Sequence, residues 1–170
     1  MPTVTLTPLA EAHRELFLEE ELANYASEQE REAGWPPEES LARARIDLGP
    51  ILERRLSEAP ERGHRLWSAL DRTGEPVGWL WVTPAEAGDD RAAFLYQITV
   101  AEQYRRRGFG RAMLRALEDL LARDGLEELR LNVMVANEPA RRLYAAAGYE
   151  LVDQVDRRCR MRKRVVRPAE

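Results

Sequence analysis

Hydrophobic positions change period several times along the chain, and each change predicts an element. Thr3 to Leu6 alternates and predicts a first strand, with Thr7 and Pro8 as a helix start. From Pro8 to about Ser27, apolar Leu9, Ala12, Leu16, Leu22, Ala23 and Ala26 recur at helical spacing among many acids. Gly34 to Pro37 breaks that pattern. Glu38 to about Glu58 is helical again through Leu41, Ala44, Ile46, Leu48, Ile51, Leu52 and Leu56, with an interruption open at Gly49-Pro50. Arg65 to Asp71 and Pro76 to Val82 then predict a hairpin about Arg72 to Glu75. Period two puts Val77, Trp79 and Trp81 on one face and Leu80 and Val82 on the other, and the tryptophans are expected in the core. Glu86 to Arg91 reads as a polar turn.

The second half is more regular. A β-rich run from Phe94 to Val100 feeds a cationic, glycine-containing turn, and from Arg111 the period becomes helical. Met113, Leu114, Leu117, Leu120 and Leu121 form one stripe, and Asp124-Gly125 ends it. Leu129 to Val135 alternates as a strand. Strand, helix and strand at this spacing predict a right-handed parallel crossover. Asn137 caps a short helix from Glu138 to about Ala147, closed by Gly148. Glu150 to Val166 predicts two further strands. The arginine-rich tract Arg157 to Arg164 reads as a strand with its arginines on the solvent face, as edge strands often carry, and Cys159 as a small packed side chain.

The chemistry gathers where the run ending at Val100 enters its helix. A helix start presents unpaired backbone N–H groups and the positive end of a dipole. Gly108 and Gly110 lack Cβ, which permits positive φ and close approach to the main chain. Arg105, Arg106, Arg107 and Arg111 add charge, so the turn suits a phosphate or pyrophosphate. The nucleoside-triphosphatase loop is absent, and Gly108 to Met113 lacks the third glycine of the dinucleotide fingerprint.

Arg105-Arg106-Arg107-Gly108-Phe109-Gly110, preceded by Ile98-Thr99-Val100, instead resembles the acyl-CoA-binding motif [RQ]-x-x-G-x-[GA] of the GCN5-related N-acetyltransferases (GNAT). Asn137 to Tyr149, with Tyr144 and Gly148, resembles a second element of that family at the expected distance. The resemblance is clear over about residues 66 to 166. It implies an α/β (α+β) fold with a mixed, mostly antiparallel sheet of about seven strands, about four flanking helices, and two central parallel strands splayed apart. It further implies acetyl-CoA as co-substrate, held by Ile98, Thr99, Val100, the residues Arg105, Arg106, Arg107, Gly108, Phe109, Gly110 and Arg111, and by Asn137 and Tyr144. The N-terminal helices of the family line the acceptor site, and dimers are common in it.

Composition narrows the rest. The 170 residues predict one domain, 1–170, and no apolar run approaches the roughly 20 residues of a membrane span. One cysteine excludes an internal disulfide, and with only two histidines, His13 and His64, no metal site is expected. Met1 to Leu6 shows no secretory signal, so the cytoplasm is the expected location. Residues 1–61 hold 14 acids against 6 arginines, while the remainder holds 16 acids against 20 basic residues. That polarity favours an anionic cofactor on one side and a cationic amine on the other, although a solvated helical surface explains the acidic half equally well. The net charge of −4, and the lack of aromatics among the tail arginines, argue against a nucleic-acid partner.

For acyl transfer, the expected mechanism is direct attack of an amine in a ternary complex. The Ile98 N–H would hold the oxyanion, and Tyr144 would protonate the departing sulfur. Many family members place a Glu base on the key strand, but Tyr96-Gln97 stand there in this chain. The proton therefore leaves through ordered water or through Glu19, Glu20 or Glu21, which the sequence does not rank. A non-catalytic acyl-CoA sensor is the alternative reading. The acceptor stays open among protein N-termini, lysines, polyamines, aminoglycosides and other small amines.

Overall fold

A computed structural model of the chain describes residues 1–166. Strands β1 (Thr5–Pro8), β2 (Arg65–Leu70), β3 (Pro76–Pro84), β4 (Ala92–Val100), β5 (Glu128–Met134), β6 (Glu150–Val155) and β7 (Arg158–Arg164) form one sheet. Its order is β1-β2-β3-β4-β5-β7-β6, and every neighbouring pair is antiparallel except β4 and β5. The helices are α1 (Glu11–Ala33), α2 (Pro37–Asp47), α3 (Gly49–Glu58), α4 (Phe109–Arg123) and α5 (Glu138–Ala146). The second predicted helix is thus divided at Leu48–Gly49, leaving four helical units of which one is split. Proline at the start of α3 lacks the N–H that a continuous helix would use.

Helices α4 and α5 cover one face of the sheet. Met113, Leu114, Leu117 and Leu121 of α4 are fully buried there with Leu80, Val82, Leu95, Leu129 and Leu131. Each such side chain contributes about 1.5–3 kcal/mol through removal from water, which fixes the crossover helix between β4 and β5. On the opposite face α1 lies over β3 and β4. Phe17 meets Trp79 edge-on at 6.0 Å and Trp81 at 6.3 Å, and Leu22 and Ala26 continue into a separate cluster with Ala44 and Leu52.

Four details depart from the pattern read along the chain. Val77 packs in the α4-side cluster, not with the tryptophans, because a register shift between Ala69 and Leu70 makes it the extra residue of a bulge. Pro8 ends β1 instead of opening α1; β1 is an edge strand, where a missing N–H is tolerated. Helix α1 runs past Ser27 to Ala33, since no breaker intervenes before Gly34, whose φ of 68° closes it. Leu16 and Ile46 face solvent, and the buried stripe of α1 is Phe17, Glu21, Leu22 and Ala26.

The arginine-rich tract is a strand with Cys159 and Met161 inward and its arginines outward. It is not an edge strand, however: β7 lies between β5 and β6, and β6 is the edge. Its charges are neutralised laterally, Arg160 by Asp153 and Arg162, more distantly, by Glu128. No helix of the described residues is long and apolar enough to cross a membrane.

Candidate active site

The parallel pair β4–β5 is short. Ala92 to Leu95 pair with Glu128 to Leu131, and beyond that point, among the described residues, β5 pairs only with β7 while β4 pairs only with β3. A bulge at Tyr96 sits where the strands part, since Trp81 faces Gln97 while Val82 faces Leu95. Register then decides which backbone groups face the gap. The Ala101 N–H donates to the Val77 carbonyl at 2.9 Å, so Gln97, Thr99 and Ala101 direct their backbone groups toward β3. Ile98 and Val100, one residue out of phase, direct theirs into the gap.

Arg105 takes part of that edge. Its Nε donates to the Val100 carbonyl at 2.9 Å, and its Nη2 donates to Asn24 Oδ1 at 2.6 Å and lies 3.5 Å from Glu20. The Arg105 side chain therefore fastens the turn to β4 and α1, and its backbone N–H is itself taken by the Glu102 carbonyl at 3.2 Å, so Arg105 shapes the turn and does not offer that donor to a ligand. The Ile98 N–H and carbonyl and the Val100 N–H are the groups left facing the gap. Thr99 is turned away from it, both backbone and side chain.

The turn itself is shaped by positive φ at Arg106 (62°) and Gly108 (84°). Gly108 is the N-cap of α4 and offers no capping side chain, so the first N–H groups of the helix, on Phe109, Gly110 and Arg111, point outward along the helix axis with no partner among the described residues. The two glycines serve different ends. Gly108 is required by its left-handed backbone, with Pro2 close to where a Cβ would stand. At Gly110 the free space is filled by Leu143 of α5, 3.2 Å from an ideal Cβ, so this glycine seats one helix on the other. Phe109 is buried against Tyr104, edge-on at 5.6 Å. Arg106, Arg107 and Arg111 are exposed and form no ion pair among the described residues; Arg107 rests on the Tyr104 and Phe109 rings. Bare N–H groups, a helix dipole and three free cations are the donor set a diphosphate requires.

Helix α5 borders the gap from the α4 side. Asn137 accepts from the Ala140 N–H at 3.3 Å as N-cap and is exposed, while Arg141 donates to the Val135 carbonyl at 3.1 Å. Tyr144 is buried beside Tyr149, ring centroids 5.7 Å apart. Its hydroxyl has no hydrogen-bond partner among the described residues, yet it is not sealed from solvent. Burial pushes the Tyr144 phenol up to about 12.

The opposite face holds a residue that spacing left among equals. Glu19 pairs with Arg45 at the surface, and Glu20 accepts from the Glu102 N–H at 3.2 Å. Glu21 is buried at 6% exposure; Thr99 Oγ1 donates to one of its oxygens at 2.5 Å and Gln97 Nε2 to the other. Burial lifts its carboxyl to about 7, against the two hydrogen bonds, which pull downward. The available signal was its i+4 position between Phe17 and Tyr25, a charge on an otherwise apolar stripe. Nearby, Tyr96 lies on Trp81 (5.1 Å) and accepts from Arg55 Nη1 at 2.5 Å, beside Arg54, Arg62 and His64.

Residues 12–149 match the model of the acetyltransferase (GNAT) family. The chain belongs to that family. A curated relative, the uncharacterized N-acetyltransferase YycN of Bacillus subtilis, is 31% identical over 153 residues, covering 90% of this chain and 96% of its own. The crystal structure of putative acetyltransferase YycN superposes with a TM-score of 0.69 at 30% identity, over 91% of this chain and 96% of that one. Spermidine N-acetyltransferase from Vibrio cholerae, solved in complex with CoA and spermine, shares the fold, with a TM-score of 0.70 over 96% of each chain at 18% identity. This chain is thus a GNAT acetyltransferase, and its seven-stranded sheet with parting central strands is the GNAT fold.

Proposed function

We propose that the chain is a single N-acetyltransferase domain that moves an acetyl group from acetyl-CoA to an amine by direct attack in a ternary complex. One observation carries this reading: beyond Leu95 the edge of β4 at Ile98 and Val100 has no partner strand among the described residues, and the chain runs from it through one turn into the bare start of α4. The N–H groups of Phe109, Gly110 and Arg111, with Arg106, Arg107 and Arg111, would hold the diphosphate. The Ile98 and Val100 backbone would pair with the amides of the pantetheine arm, as an added strand would. Bound there, acetyl-CoA supplies an activated acyl group.

The chain's own groups do the remainder. The Ile98 N–H stabilises negative charge on the acyl oxygen, and Tyr144 donates a proton to sulfur. A phenol raised to about 12 stays protonated throughout the working range of pH. The same low-polarity surroundings raise the proton affinity of a departing thiolate, which keeps donor and acceptor matched. The amine would enter over the face carrying α1 and α3.

The decisive experiment is calorimetric titration of coenzyme A at low salt. A thermal-shift screen of amines with acetyl-CoA present follows, and then thiol release on the hits. The panel should hold amines bearing a carboxylate as well as polyamines, because Arg54, Arg55 and Arg62 gather around Trp81 and Tyr96. Absence of coenzyme A binding sinks the reading.

A further inference from the structure

The geometry points to Glu21 as the group that takes the proton from the incoming ammonium, acting from α1 in place of a carboxylate on β4. The proposal rests on the acetyltransferase reading above and names one step within it. Gln97 and Thr99 flank Ile98 in the chain, and both their side chains emerge on the α1 face, where Glu21 accepts a hydrogen bond from each. Its carboxylate thus sits on the far side of the strand whose Ile98 N–H faces the gap, while Tyr144 approaches from the α5 side. Proton acceptor and proton donor lie on opposite faces of the sheet, with the parted strands between them.

Glu21 also has the capacity for a third partner. Each carboxylate oxygen carries two lone pairs, and the Thr99 hydroxyl and Gln97 amide use one on each. Both donors are neutral, so the charge is not compensated by a cation of its own. The charged groups around it are few. On α1, Glu20 disfavours ionisation. In the turn after β4, Arg105 favours it, although that guanidinium is committed to Val100, Asn24 and Glu20. On β3 the cross-strand neighbours are Trp79 and Trp81, and from α3 Arg55 is held by Tyr96. A carboxylate buried without an ion partner costs stability, and a carboxyl lifted to about 7 is half-ionised near neutrality, where a general base is most effective.

The proton balance closes. Of the three protons on an ammonium, Glu21 accepts one and passes it to solvent. The nitrogen lone pair forms the C–N bond, the C–S bond breaks, and sulfur takes the Tyr144 proton. The second proton shed by nitrogen restores the phenol, and the third stays on the amide.

The test compares wild type, Glu21→Gln and Glu21→Asp for thiol release from acetyl-CoA between pH 5.5 and 9, with spermidine and with water alone as acceptor. The wild-type rate should rise through a limb near pH 7. Glu21→Gln should lack that limb and fall about 10²–10⁴-fold at pH 7, while Glu21→Asp keeps the limb at reduced rate. Coenzyme A affinity, measured in parallel by calorimetry, should be equal in all three. A Glu21→Gln enzyme with the wild-type pH profile, whatever its rate, reduces Glu21 to a tie between α1 and β4. Should wild type bind coenzyme A yet turn over neither acceptor, infrared titration of the carboxyl band lost in Glu21→Gln decides: ionisation near pH 7 supports the proposal, and ionisation below pH 5.5 overturns it. Failure of wild type to bind coenzyme A removes the underlying reading and the proposal with it.

Discussion

Tyr144 and Glu21 are two side chains whose chemistry burial changes in the direction the proposed reaction needs. Truncating Tyr144 to Phe removes one hydroxyl and leaves the ring against Tyr149. We expect the turnover number to fall about 10- to 1000-fold, with coenzyme A affinity within a factor of two or so of wild type. Steady-state kinetics beside calorimetry checks both halves, and an unchanged turnover number takes Tyr144 out of the acid role. Glu21 has a second signature, in stability. Its carboxyl is lifted from 4.5 to about 7 in the folded chain, so the native state binds that proton more tightly than the unfolded one. The resulting stabilisation is complete below about pH 4.5 and is lost as pH rises through 7. Above 7 the ionised group costs at most about 3 kcal/mol. Glu21→Gln should therefore raise the melting temperature relative to wild type more at pH 8 than at pH 5.

At the scale of elements, the turn and α4 act as one device. Gly108→Ala forces a Cβ onto a left-handed backbone and toward Pro2, which should cost about 1 kcal/mol or more and weaken coenzyme A binding. Gly110→Leu acts differently, by pushing Leu143 and with it α5, so it should reduce turnover by displacing Tyr144. Comparing urea unfolding with calorimetry separates the two. Leu117→Ala, in the fully buried stripe of α4, should lower stability by about 2–5 kcal/mol in urea. Because Arg106, Arg107 and Arg111 are exposed, coenzyme A affinity should weaken as salt rises through the Debye regime.

Across the whole molecule, the sheet holds the site together. Closing β4 onto β5 along their full length would satisfy the Ile98 and Val100 backbone but leave no gap, and the Tyr96 bulge stands where that choice is made. The unevenness of charge also resolves only here. The acidic first 61 residues do not present a uniformly acidic surface, since Arg54 and Arg55 from that stretch join Arg62 and His64 beside Trp81 and Tyr96. Burial and the neighbouring Arg62 depress the His64 pKa, which keeps its Nδ1 free to accept from Trp81 Nε1 at 3.1 Å.

Much of this was legible along the chain. The run from Phe94 to Gly110, the stripe on α4, the Asn137 cap and the alternation of the arginine tract each depend on residues close in sequence, whose period reports which side is buried. That sufficed for the crossover, for the glycine turn that opens α4 and for the place of Tyr144 on α5. Contacts between distant segments were left for the folded chain to decide. A one-residue bulge moved Val77 to the other face, sheet order placed β7 inside, and strand register assigned Ile98 to the gap and Thr99 away from it. Glu19, Glu20 and Glu21 are chemically identical neighbours, and only the packing of α1 on β4, some 76 residues away at Gln97, buries Glu21 while Glu20 stays half-buried on the Glu102 N–H and Glu19 faces solvent.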